Sequence, residues 1–328
     1  MRRRGLLTAA AAALSAPWLI DAARADARRI GILSAGADPG RPPLEAKEFW
    51  AGFGWTLGET LLVERRYAGW RAERMPDLVD ELLRRQHVEV LVSLGPDATG
   101  AAARATRTVP IVFSWAFSPI ECGLVESYSR PGGNCTGVTA SVGEANFFEK
   151  PFEYLRAAAP SARRVALLMP DTSRFRRGGS QLDIRPTAAA QVLGFEYSFH
   201  TARHLEGVDA ILKEAAATRA QAALIGGLAY AGQAARVADF ALRQRWVTWT
   251  PDMELRDAGL LMYQGWSTDS WDRVGHMVSR ILRGAKPADI PVELPSTRSE
   301  FVLNLRTARA IELEVPYSLR LRADRVIE

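Results

Sequence analysis

The sequence predicts an α/β fold: two doubly wound parallel-sheet lobes joined by a hinge. Three observations carry this expectation. The chain has 328 residues, more than a single hydrophobic core ordinarily serves. Short β-branched runs alternate with stretches of helical apolar spacing, the pattern of parallel strands covered by helices on both faces. The alternation stops at the turn-rich residues 130–134 (RPGGN) and then begins again, which implies two sheets.

The first array opens with a buried strand at residues 29–34. A helix follows at 45–57 and an alternating strand at 61–67. Residues 75–85 read as a helix, 88–94 as a strand and 97–106 as an alanine-rich helix. The strand at 110–114 precedes a short helix at 122–129, and a strand at 136–139 closes the array. The second array starts with a helix at 147–159 that ends before Pro160, then a strand at 165–169. After an arginine- and glycine-containing loop come a helix near 187–193, a strand at 195–201, a helix at 205–218 and a strand at 222–225. A helix at 234–245, strands at 247–250 and 259–263 and a helix at 270–283 complete it. No short repeat and no low-complexity tract interrupts the pattern.

The first residues read as an export signal. Arg2, Arg3 and Arg4 precede an apolar, alanine-rich run, and Ala23-Arg24-Ala25 is a small-x-small cleavage motif, so cleavage is expected after Ala25. The paired arginines before Gly5 also resemble an incomplete twin-arginine signal, so the Sec and twin-arginine routes both stay open. No cysteine follows the apolar run to carry a lipid, and no later segment has the roughly 18 apolar residues of a spanning helix. A soluble, monomeric, periplasmic product is expected, without stable membrane insertion. The formal charge is +5, but removal of residues 1–25 takes away four arginines and Asp21 and leaves +2. No concentrated basic stripe remains, so no nucleic-acid partner is expected.

Of four histidines, only His200 and His204 have the i, i+4 spacing of a metal pair, and His200 falls at the end of a strand-like run, where that spacing does not converge. The two cysteines, Cys122 and Cys135, could form a disulfide in an exported protein. Their expected places, early in a helix and at the start of the next strand, favour two buried thiols instead. No serine elbow and no glycine-rich phosphate loop is present. No catalytic residue, metal or cofactor is therefore expected, and an enzyme ranks below a binding protein.

In parallel sheets ligands bind beyond the carboxyl ends of the strands. Two lobes set two such edges face to face across a cleft. The candidate binding residues are those at the strand ends: Ser34 and Ala35; Gly95, Asp97 and Thr99; Trp115, Phe117 and Ser118; and in the second lobe Asp171, Gly227, Tyr230, Asp252, Tyr263 and Trp266. Asp97 is a candidate helix N-cap with free amides behind it that suit an anion. Glycines admit close backbone approach, and the aromatic rings offer stacking faces. Core packing is the competing role for each ring, and helix capping for Asp97 and Asp252.

At these residues the chain resembles the substrate-binding proteins of ABC transporters, in the group that includes tryptophan- and tyrosine-type binding proteins. The most specific stretches are residues 109–113 (VPIVF), 123–137 (GLVESYSRPGGNCTG), 258–263 (AGLLMY), 281–293 (ILRGAKPADIPVE) and 319–328 (LRLRADRVIE). The resemblance implies a type I periplasmic-binding fold, an inter-lobe solute site, and a membrane permease and an ATPase as partners. It also implies three crossings between lobes, with residues 26–139 and 259–293 in lobe 1 and 140–258 and 294–328 in lobe 2. Two departures stand out. Phe117-Ser118-Pro119 replaces a Gly-Asp-Pro common in the family, and Gly226-Gly227-Leu228 lacks a common Pro-Asp, so the usual carboxylate for a ligand ammonium is missing. A carboxylate-bearing or neutral aromatic solute is as compatible as an amino acid. Delivery to a receptor for sensing remains the alternative to import, and residues 174–186 form a longer insertion whose role the sequence does not disclose.

Overall fold

The computed structural model describes residues 27–37, 47–139, 145–178, 187–266, 270–294 and 299–328. The segment expected to be an export signal and most of the 174–186 insertion lie outside them. The first sheet contains β1 (Arg28–Ser34), β2 (Leu61–Tyr67), β3 (Val90–Leu94), β4 (Ile111–Ala116) and β5 (Cys135–Thr139), in the order β2-β1-β3-β4-β5 with every pair parallel. Its intervening helices are α1 (Lys47–Ala51), α2 (Met75–Asp80), which continues into one wide π turn at Glu81–Arg85, and α3 (Pro96–Ala105).

Period-2 alternation divides the side chains of this sheet between two cores. Leu33, Leu91, Ile111 and Phe113 pack with Leu82, Ala98 and Ala102 on the α2 and α3 side. Ile30, Ile32, Val90, Val92, Val112 and Val138 fill the opposite face with Val274, Met277 and Val278. Both faces are covered, which is why these strands read as continuous apolar runs.

The second sheet has the order β12-β11-β10-β9-β8-β6-β7. After α4 (Ala145–Ala158) come β6 (Arg164–Leu168), α5 (Thr187–Val192), β7 (Glu196–His200) and α6 (Val208–Ala217). They are followed by β8 (Ala222–Ile225), α7 (Leu228–Ala231), α8 (Ala234–Arg243), β9 (Val247–Thr250), α9 (Met253–Asp257) and β10 (Met262–Trp266). The helix α10 (Ser270–Leu282) leaves this sheet and packs on β3, β4 and β5 of the first. β11 (Ser299–Asn304), α11 (Leu305–Ala310), α12 (Tyr317–Arg320) and β12 (Arg325–Ile327) return to the second sheet, with β11 antiparallel to β10.

Three expectations change, and the preference for two buried thiols holds. Residues 122–129 form turns, not a helix: Gly123 adopts φ +67°, a left-handed conformation that ends a helical turn at once. Leu124 and Val125 are buried all the same, so the apolar spacing reflected a packed loop. The strand expected at 259–263 begins instead at Met262, because Gly259 (φ +106°) and the residues after it complete the turn from α9. β10 pairs with β9 and β11, so residues 262–266 stand in the second sheet, and the return to the first comes with α10 and not at residue 259. Cys122 and Cys135 are both buried free thiols. Arg177 of the second lobe donates to the Cys135 sulfur at 2.9 Å, and the Cys122 thiol contacts the Phe117 carbonyl at 3.1 Å.

Candidate functional site

The strand ends of the first lobe form a rim of strained backbone. β4 carries an irregularity between Ser114 and Ala116, and Trp115 (φ +64°) and Ser118 (φ +37°) follow in left-handed conformations that non-glycine residues seldom adopt. The kink turns Trp115 toward Trp271 of α10, with ring centroids 6.2 Å apart. The hydroxyls of Ser114 and Ser118 are buried and have no hydrogen-bond partner among the described residues. Buried polar atoms left in that state are uncommon and costly, and a bound group offers them partners. At the end of β3, Gly95 is the N-cap of α3 with φ +84°. Asp97 lies in the first turn of that helix, so it is not the cap the sequence suggested.

Ser34 and Ala35 shape the rim without reaching across it. Their carbonyls accept from Ala68 at 2.9 Å and Trp70 at 2.8 Å, and the Ser34 hydroxyl accepts from the Gly36 amide at 3.2 Å. This pairing aims Trp70, itself at φ +65°, over the gap. A Cβ placed on Gly232 of the second lobe would lie 2.6 Å from the Trp70 Cβ. The two lobes therefore touch at Trp70.

In the second lobe three strand ends converge. The Gly227 amide, held at φ +108°, donates to the Asp252 carboxylate at 2.7 Å. A side chain at Gly227 would meet Pro170 at 2.7 Å, so glycine is required for the ends of β6, β8 and β9 to meet. Asp171 is buried; it accepts from the Ser173 amide and hydroxyl and pairs with Arg203 at 3.3 Å. Tyr263, on β10, is buried beneath the Arg256 guanidinium, which sits 4.8 Å from the ring centroid. Burial pushes its phenol up to about 12, so it is a neutral hydroxyl.

Asp97 and Asp252 come from opposite lobes, and the charge of Asp97 reaches Asp252. Burial raises the Asp97 carboxyl to about 6, against the opposing pull of Arg174, with Asp171 adding repulsion and Arg104 attraction. Burial likewise raises Asp252 to about 7, opposed by the Gly227 amide, with Glu254 and Asp97 pushing it further up. Arg174 stands 4.0 Å from Asp97, beyond direct hydrogen-bond reach. A cavity of about 180 Å³ opens at this seam, with Glu73, Asp97, Arg104, Arg174 and His204 on its walls.

The structure thus brings Asp97, Asp252, Gly227 and Asp171 to the inter-lobe seam, and places Trp115 and Ser118 on the first-lobe rim. Thr99 is elsewhere occupied: its hydroxyl bonds the Gly95 carbonyl at 2.7 Å and Ser93 at 2.9 Å inside the first lobe. Tyr230 belongs to the second-lobe core. It is fully buried, its hydroxyl donates to the His200 carbonyl at 3.1 Å, and it accepts from the Ala202 amide at 3.0 Å. Phe117 is buried against Phe175, centroids 6.3 Å apart. Trp266 ends β10, but its side chain lies outside the described residues. His200 and His204 diverge: the first is buried beside Ser198, the second exposed near Glu73. Trp70, Arg104 and Arg174 were missed. Trp70 follows the edge strand β2, where Gly69 before it is the one turn signal; the two arginines carry no local signal.

Two α/β lobes, one with a parallel sheet and one with a sheet that is parallel except at β11, meet at a polar seam and define a fold class, the type I periplasmic-binding fold. Comparison with known proteins makes this specific. Residues 70–178 match the model of the family described as ABC transporter substrate binding protein. A tyrosine-binding protein of Clostridioides difficile is 26% identical over 80 residues, a match that spans 24% of this chain and 22% of that relative. Among solved structures, the ABC domain in complex with L-Trp from Streptococcus pneumonia shares the fold at TM-score 0.78 and 18% identity, covering 92% of this chain and all of that one. A conserved domain protein from Vibrio cholerae does so at TM-score 0.77 and 18% identity, covering 91% and 99%. The resemblance read from the sequence is borne out: over residues 70–178 the chain is similar to the ABC transporter substrate-binding proteins, and over most of its length it shares the fold of the L-Trp complex.

Proposed function

We propose that this protein is the solute-capturing component of an ABC importer. It is exported by the leader at residues 1–25 and works in the periplasm as a monomer. It captures an amino-acid-like solute between its lobes and passes it, without chemistry, to a membrane permease driven by an ATPase. The observation that carries the reading is the pair Asp97 and Asp252, a buried and a half-buried carboxylate from opposite lobes, with the charge of Asp97 raising Asp252. A solute bearing an ammonium group offsets both charges at once, and only when the lobes are together. Differential affinity of that kind moves a clamp toward its closed form. The carboxylate missing at Ser118 is thus supplied from other strand ends, which removes the objection to an amino-acid-like solute. Trp115 and Trp271 offer an aromatic face, and the unpartnered hydroxyls of Ser114 and Ser118 offer polar contacts beside it.

Calorimetry with a panel of tryptophan, tyrosine, aromatic acids lacking the amine, and purines tests the reading. An amine-bearing compound should saturate at one per chain, and at 100 times its dissociation constant it adds about 2.7 kcal/mol of stability. Trp115→Ala should weaken that binding with the unliganded melting temperature retained. Equal binding of the amine-free acids would defeat the role given to the carboxylates, and binding of no compound would defeat the solute trap.

A further inference from the structure

The segment that follows β6 starts in the second lobe and is anchored on the first. Asp171 begins it by capping a single 3-10 turn, Thr172–Arg174. From there its hydrogen bonds cross the seam. The Arg104 guanidinium of α3 donates to the carbonyls of Arg174 at 2.8 Å and Arg176 at 3.0 Å. The Arg177 amide donates to the Cys122 carbonyl at 2.9 Å. The Arg177 Nη2 donates to Asn134 Oδ1 at 3.0 Å and the Cys135 Sγ at 2.9 Å. Phe175 is only 4% exposed and packs in the same cluster as Ala98, Ala101, Phe117 and Cys122.

First-lobe residues are shaped to receive it. Gly100 faces the segment from α3, and a Cβ there would sit 1.8 Å from the Arg174 carbonyl oxygen. A glycine in the middle of a helix costs stability relative to alanine; here it leaves room for a foreign backbone. Asn134 is held to aim at Arg177: its amide nitrogen donates to the Val109 carbonyl at 2.8 Å, which leaves the oxygen facing the guanidinium. Other polar pairs across the seam among the described residues include weaker ones. Arg71 with Glu206 at 3.4 Å and His204 with Glu73 at 3.9 Å are exposed pairs, a type that contributes little.

We propose that residues 172–177 form a latch that holds the second lobe against the first when no solute is bound. Opening of the cleft requires their release from α3 and from the loop between Cys122 and Cys135. Solute entry and exit are then paced by the latch and not by solute contacts alone. The idea does not depend on which solute binds, and it is tested without one.

Two substitutions release the latch from different sides. Gly100→Ala displaces the Arg174 carbonyl without altering any latch residue, and it favours α3 as a helix. Arg177→Met keeps the side-chain length and removes the guanidinium. The readouts on extensively dialysed protein are hydrogen exchange at the residue 177 amide and the small-angle scattering radius. In the wild type that amide should be protected and the radius should match the closed form. In either variant exchange should speed up roughly tenfold or more, the factor that losing one or two such hydrogen bonds brings, and the radius should increase. Folded variants whose exchange and scattering equal those of the wild type would overturn the latch. If Gly100→Ala does not fold, Arg177→Met decides alone.

Discussion

Asp97→Asn offers a quantitative test of the seam. Asp97 is 7% exposed, and its nearest cation, Arg174, stands 4.0 Å away. Burial therefore raises its carboxyl from the ordinary 3.8 to about 6. The folded protein keeps this proton where the unfolded chain has lost it. Folding stability from this group is full below pH 3.8 and declines as pH rises through 6, because the native state binds the extra proton. At 1.36 kcal/mol per pH unit the span from 3.8 to about 6 corresponds to about 3 kcal/mol. Asparagine keeps the shape and does not titrate. The stability of Asp97→Asn minus that of the wild type should therefore rise by about 2–3 kcal/mol between pH 4 and pH 8. Urea titrations across that range measure it, and groups common to both proteins cancel in the difference. A difference that stays flat would refute the reasoning, and so would one that shrinks as pH rises, which would mean that Arg174 already stabilises the ionised form.

Two further outcomes follow from the same geometry. An ammonium-bearing solute placed between Asp97 and Asp252 lowers both carboxyls, so binding near pH 6.5 should release protons and tighten as pH rises toward 8; calorimetry in buffers of different ionisation enthalpy reads this, and proton uptake would contradict it. Gly227→Ala should destabilise the second lobe by about 2–3 kcal/mol, from the left-handed conformation at φ +108° and the overlap with Pro170. Denaturant titration checks this, and a loss below about 0.5 kcal/mol, ordinary for an indifferent site, would contradict it.

Much of the architecture was legible because each strand is bounded by physics that acts locally. β2, β8 and β9 occupy the residues the alternation assigned, 61–67, 222–225 and 247–250. Their β-branched and apolar runs are closed off by glycine, by proline or by polar turns. The misplacements share another cause. Residues 122–129 carry helical apolar spacing, but one glycine in a left-handed conformation and the burial of Leu124 and Val125 in a packed loop override it. β10 slipped by three residues because Leu260 and Leu261 are buried in a turn, and apolarity alone does not separate a buried turn from a strand.

The site was legible only as a set of strand ends. Asp97, Gly227 and Asp252 stand where sheet topology says a ligand edge must be. Tyr230 and Thr99 occupy the same kind of position in the sequence yet spend their hydroxyls inside their own lobes. Whether a side chain turns outward or inward there depends on partners far away in the chain, such as His200 for Tyr230. The latch is the extreme case: Arg174 and Arg177 sit in a loop that reads as solvated, and only the tertiary structure places Gly100, Arg104 and Asn134 against it.

Mass spectrometry of the intact protein under native conditions, as purified from the cells that make it, tests the solute trap most directly. The expected spectrum shows one small molecule per chain, shed on gentle activation, carrying a basic nitrogen and lost on substitution of both Asp97 and Asp252 by asparagine. A bare chain that also stays bare when amine-bearing metabolites are added would contradict the claim that these two lobes close on a solute.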